Sequence, residues 1–203
     1  KKTNIINIKE LNIYKEQHTL IYGKSGSGKT TLLNLLAGIY TLDEGSLKIL
    51  NQELSSLTNS KRDAFRADYM GVIFQQFNLL SYLSVIENIE IACSFSNNRK
   101  GNAVELLHSL QIPQYLHNEN ISKLSIGQQQ RVAVARAVIG NPDVIIADEP
   151  ASALDEETRD VFLDFLFKQV KSSTIIYVSH DLSISNRFSE VYELDSFNEK
   201  ATQ

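Results

Sequence analysis

The chain has 203 residues, 42% of them hydrophobic and 22% charged, with a net charge of −4 and a pI near 5.6. That is the balance of one soluble globular domain able to bury a substantial core, and its acidity argues against a broad nucleic-acid surface. No apolar run reaches the roughly 20 residues of a bilayer span and no secretory leader opens the sequence, so any link to a membrane is expected to run through a partner.

Taken in chain order, the first 13 residues alternate in polarity like strands of an antiparallel edge. His18–Tyr22 is a short apolar run that predicts a buried strand. A glycine-rich turn follows, then a helix over Lys29–Ala37 closed by Gly38, with Leu32, Leu33 and Leu36 facing the core. Ser46–Leu50 alternates again, and Met70–Phe74 predicts a second buried strand. From Phe77 to Ile139 no strand is evident. Helical patterns occupy Val85–Phe95, where the lone Cys93 reads as a small apolar residue, and Asn102–Leu110. Another covers Gln128–Ile139, with Val132, Ala135 and Ile139 inward. Val144–Ala147, Thr174–Val178 and Val191–Leu194 predict three more buried strands. Between the first two of these, Asp155 caps a helix over Glu156–Val170. This alternation is that of an α/β fold with a parallel sheet covered on both faces. The expectation is a single domain over 1–203, with a core of 1–76 and 140–203, an antiparallel edge at its N-terminus, and an inserted α-helical subdomain at 77–139.

The turn Gly23-Lys24-Ser25-Gly26-Ser27-Gly28-Lys29-Thr30 meets the pattern G-x-x-x-x-G-K-[ST]. A phosphate chain needs many N–H donors at close range. Glycines let the backbone wrap the anion, and the helix behind presents its positive end. Lys29 would reach the β- and γ-phosphates, and Thr30 would place its hydroxyl on Mg²⁺. This marks a P-loop NTPase core. Asp148 and Glu149 leave a buried strand at its carboxyl end, where open α/β sheets bind ligands. Asp148 would hold Mg²⁺ through water, and Glu149 would orient or deprotonate the attacking water.

Leu124-Ser125-Ile126-Gly127-Gln128-Gln129-Gln130-Arg131 resembles the signature of the ATP-binding cassette (ABC) family, and the likeness covers nearly the whole chain. By that resemblance, Phe74-Gln75-Gln76-Phe77 is similar to the Q-loop, with Gln75 a ligand of Mg²⁺ and the attacking water. Ser152-Ala153-Leu154-Asp155 is similar to the D-loop, and His180 to the switch histidine at the γ-phosphate. The resemblance implies ATP as the nucleotide, with contacts extending to Thr31, Gln128 and Asp155. It also implies a second ABC ATPase subunit whose Ser125 and Gly127 close over the phosphate loop, and a transmembrane permease subunit that holds the chain at the cytoplasmic face of the membrane without direct insertion. The stretch Leu54–Asn88 looks most like the lipoprotein-releasing, macrolide-export and antimicrobial-peptide exporters. Leu79, Leu80 and Leu83 fit permease docking and ordinary core packing equally.

Three features depart from the family pattern. Ile126 stands where the family usually has glycine, which would strain a backbone of positive φ. Ala151 stands where threonine is common. An aromatic residue that would stack on adenine does not precede the loop at the family's spacing, so either the chain is shortened there or adenine is held differently. A DNA-repair or translation ATPase of the same family is disfavoured, because about 50 residues separate Gln75 from Ser125 and one phosphate loop is present. A non-catalytic nucleotide-binding scaffold is disfavoured because every polar catalytic group is in place.

Overall fold

The computed structural model describes residues 5–152, 154–170 and 172–199. In chain order its elements are β1 (Thr19–Tyr22), α1 (Lys29–Leu36), β2 (Lys48–Ile49), β3 (Gln52–Glu53), α2 (Asn59–Tyr69), β4 (Met70–Ile73), α3 (Val85–Ser94), α4 (Ala103–Ser109), α5 (Ile126–Val138), β5 (Val144–Asp148), α6 (Glu156–Gln169), β6 (Thr174–Ser179), β7 (Glu190–Glu193) and α7 (Leu194–Phe197). Five of the strands form one sheet in the order β4-β5-β6-β1-β7, and every pairing in it is parallel.

The near-continuous apolar runs of β1, β5 and β6 are explained by burial on both faces of that sheet. Successive side chains point to opposite sides. Leu20, Ile145 and Tyr177 pack with Phe162, Leu163 and Leu166 under α6. Their neighbours Ile21, Ile146 and Val178 pack with Leu32, Leu33 and Leu36 of α1 on the other side. A third apolar cluster, including Val85, Ile89, Leu107, Leu110, Val132 and Ala135, fills the space among α3, α4 and α5. No helix among the described residues is long and apolar enough to cross a membrane.

Of the expected antiparallel edge, Ser46–Leu50 contributes the paired strand β2, but the described part of the opening stretch does not pair as strands. Residues 1–4 of it lie outside the described residues. From 5 to 13 the backbone forms no strand, and Ile8 alone bridges Asn198. Its alternation is used in packing instead, since Ile6, Ile8, Leu11 and Ile13 lie half-buried against the α1-side cluster. The side chain of Asn198 takes a ladder partner's place by accepting from Asn7 N at 2.7 Å. Among the described residues, the antiparallel strand pair is β2 with β3, two residues each, in a separate sheet, beside isolated antiparallel bridges. Helix α5 starts at Ile126 rather than Gln128 because Ser125 is its cap. Helix α2 was not foreseen: NSKRDAFRADY is too polar to show an apolar stripe, and Thr58 caps it by accepting from Lys61 N.

Candidate functional site

Four adjacent strands, β4, β5, β6 and β1, bring their carboxyl ends to one edge. Leaving them are Gln75, the pair Asp148-Glu149, His180 and the loop Gly23–Thr30 respectively. Hydrogen bonds from Gly23 N to Ser179 O and from Glu149 N to Val178 O tie these exits together.

Helix α1 begins directly at Lys29. Gly28, at φ 108°, is its cap and offers no side chain to the first-turn N–H groups. Those donors stay directed at the loop's hollow, as anion binding requires. A Cβ at Gly28 would stand 3.0 Å from Ile6 Cδ1 in a conformation L side chains rarely adopt. Inside the loop the Ser27 hydroxyl is buried without a hydrogen-bond partner among the described residues. An orphaned polar atom is costly to bury and is satisfied by a polar ligand. Lys24, Ser25, Gly26 and Thr30 are exposed and Thr31 is half-buried on the first turn of α1.

Lys29 is buried, and its Nζ donates to Gly23 O at 2.8 Å and Lys24 O at 3.0 Å. It also lies 3.3 Å from Glu149 Oε1, while Glu149 Oε2 is 2.7 Å from His180 Nδ1. Thus the predicted cation, base and switch histidine form one chain. Glu149 has φ 44°, a left-handed conformation that costs a non-glycine residue about 1–3 kcal/mol and concentrates at functional sites. Burial pushes the Asp148 carboxyl above its ordinary range; a hydrogen bond with the Thr30 side chain opposes that, and the neighbouring Glu149 adds to it. A carboxylate and a hydroxyl in contact, short of compensating charge, suit a hard dication that takes oxygen ligands. No group of three His, Cys, Asp or Glu among the described residues is placed to hold a metal ion by itself. A magnesium ion needs none, because water and phosphate complete its shell.

Among the described residues, the remaining predicted ones make no hydrogen bond or ion pair to Lys29, Glu149 or His180. Gln75 is exposed, and its Nε2 donates to Ser152 Oγ at 3.3 Å. Among the described residues, no hydrogen bond or ion pair joins Ser125 or Gly127 to the loop. Ser125 Oγ accepts from Gln128 N, and the Gln128 side chain accepts from Ser125 N, forming a capping box. Gly127 is exposed, with nothing within 4 Å of the position of an added Cβ. Ile126 is 70% exposed and helical, without positive φ, so it carries no strain. Asp155 caps α6 by accepting from Thr158 N and Oγ1, and those bonds hold its carboxyl below the usual range. Ala153 of the expected D-loop lies outside the described residues. Sequence reasoning missed Gln130, whose buried Nε2 donates to Pro150 O at 2.9 Å, because nothing in Gln128-Gln129-Gln130 singles out the inward one.

The profile of the family described as ABC transporter matches residues 6–152. The chain is 36% identical over 189 residues to the uncharacterized ABC transporter ATP-binding protein MJ0796 of Methanocaldococcus jannaschii, covering 89% of this chain and 80% of that protein. It is 37% identical over 189 residues to the macrolide export ATP-binding/permease protein MacB of Campylobacter jejuni, covering 91% of this chain but only 29% of that protein. Among solved structures, the post-hydrolysis dimer of the Methanocaldococcus cassette MJ0796 bound to ADP and Pi superposes with a TM-score of 0.81 at 33% identity. That match covers 95% of this chain and 88% of the other.

Proposed function

The chain belongs to the ABC transporter family, and on that premise we propose that it is the ATP-binding and ATP-hydrolysing subunit of a transporter, powering movement of cargo through a separate permease. The observation that supports this most is the chain of contacts Lys29–Glu149–His180 at the mouth of the phosphate loop. Within the family it falls in the group of the lipoprotein-releasing and macrolide-export cassettes.

The residues divide the work. The N–H groups of Gly23–Thr30 and the Lys29 ammonium bind the phosphates and hold the γ-phosphate in place. Thr30 and Asp148, with Gln75 from the neighbouring strand, would hold Mg²⁺, which when bound supplies charge neutralisation on the phosphate oxygens. Glu149 orients the attacking water and accepts its proton. His180 holds the second carboxylate oxygen of Glu149 and faces the γ-phosphate. Most of the rate comes from positioning and charge stabilisation.

Ser125 and Gly127 stand exposed at the start of α5, and in a pair of cassettes they close over the partner's loop. ATP is then a ligand of the closed pair, and hydrolysis releases it. The second cassette is a copy of this chain or a similar one. The region 77–139 forms the lobe that faces the permease, with Phe77–Leu83 as its contact segment and the assembly on the cytoplasmic face of the membrane. Leu79 also packs against the cluster among α3, α4 and α5.

Glu149→Gln is expected to remove ATP turnover while ATP binding persists, measured as phosphate release beside nucleotide affinity. Undiminished hydrolysis would remove Glu149 from the role of base.

A further inference from the structure

Arg136 lies in the last turn of α5, the helix whose first turn carries Ser125 and Gly127. Its Nη2 donates to Phe77 O at 2.6 Å and its Nη1 to Asn78 O at 2.7 Å. The two carbonyls belong to the segment just after Gln75, and Asn78 holds a left-handed φ of 49° there. Two parallel donors on adjacent carbonyls use the planar fork of a guanidinium, which neither lysine nor an apolar side chain reproduces. Burial lowers the guanidinium's pKa, because the charge is taken from water against carbonyl dipoles. A methionine would fill this place without that desolvation, so packing alone does not account for an arginine.

The same helix grips a second exit from the sheet, through the Gln130 bond to Pro150 O beside Glu149. Helix α5 therefore holds the backbone on both sides of the reaction centre, Gln130 after β5 and Arg136 after β4. We infer that Arg136 is a positioning residue, which fixes the backbone at Phe77 and Asn78 so that Gln75 is presented to the γ-phosphate and its water. This rests on the role given to Gln75 in the proposed function. One helix, α5, thereby ties the exposed signature end to Gln75.

Arg136 also lines a cavity of about 460 Å³ beside Val72, Ala92 and Phe95, so a substituted side chain has room. The test compares Arg136→Met and Arg136→Lys with the parent in two readouts: amide hydrogen exchange over residues 75–80, and steady-state hydrolysis. Arg136→Met is expected to speed exchange in that segment and to lower kcat about 10- to 100-fold, the scale of a reacting group displaced by about an ångström. KM for ATP should stay nearly unchanged, because the phosphate loop is untouched. Arg136→Lys should recover part of kcat, and it carries the same comparison if the methionine variant does not fold. Parental exchange in a folded variant, or faster exchange with parental kcat, overturns the inference. A parent that hydrolyses no ATP overturns the proposed function instead, and the exchange readout still reports on the clamp.

Discussion

Asp148 is held up by burial beside the Thr30 hydroxyl. Its folded pKa lies above the unfolded value, so it contributes stability that is fully present below the unfolded pKa and is lost as pH rises through the folded one. At neutral pH the ionised group is therefore a burden on the nucleotide-free protein. Asp148→Asn should raise the melting temperature at neutral pH, and the gain should shrink in acid, where the native carboxyl takes up its proton. Thermal melts at the two pH values check this, and a variant less stable at neutral pH would contradict it. A residue that costs stability where it stands is typical of one kept for function. At this scale much was legible in the sequence. The loop declares itself because glycines, lysine and threonine at fixed spacing answer to one chemistry. Glu149 was readable as a carboxylate at a strand end. Its left-handed backbone was not, nor was its simultaneous contact with Lys29 and His180, since both depend on how β6 sits between β1 and β5.

The elements repeat this division. The buried strands β1, β5 and β6 were readable because both faces are covered and the apolar runs are unbroken, whereas β7, expected buried at Val191–Leu194, lies at the sheet edge with Val191 exposed. The N-terminal alternation misled, since Ile6, Ile8, Leu11 and Ile13 pack on the α1-side cluster without any ladder. Gly71 in β4 shows a constraint that the sequence hides. A Cβ there would stand 2.1 Å from Ala137 O and 2.8 Å from Ile145 Cδ1, so the backbone of α5 approaches β4 only across a glycine. Gly71→Ala should cost about 1–3 kcal/mol through overpacking, read as a lower denaturant midpoint. An unchanged midpoint would mean that α5 and β4 do not meet this closely. Because α5 also carries Gln130 and Arg136, the damage should extend to activity.

In the function proposed above, one molecule supplies half of a catalytic site. Phosphate loop, Asp148, Glu149 and His180 share one edge of the sheet, while Ser125, the cap of α5, and Gly127 in its first turn stand exposed and, among the described residues, are bonded to none of these. The solved relative from Methanocaldococcus is a dimer bound to ADP and Pi. The most direct measurement is sedimentation of Glu149→Gln with Mg²⁺ and either ATP or ADP, alone and combined with Gly127→Asp. Nothing surrounds the Gly127 Cβ position, so the added carboxylate leaves the monomer intact. The expected result is a dimer with ATP but not ADP, and a monomer under both once Gly127→Asp is present. A monomer at saturating ATP, or a dimer indifferent to Gly127→Asp, would contradict the shared site.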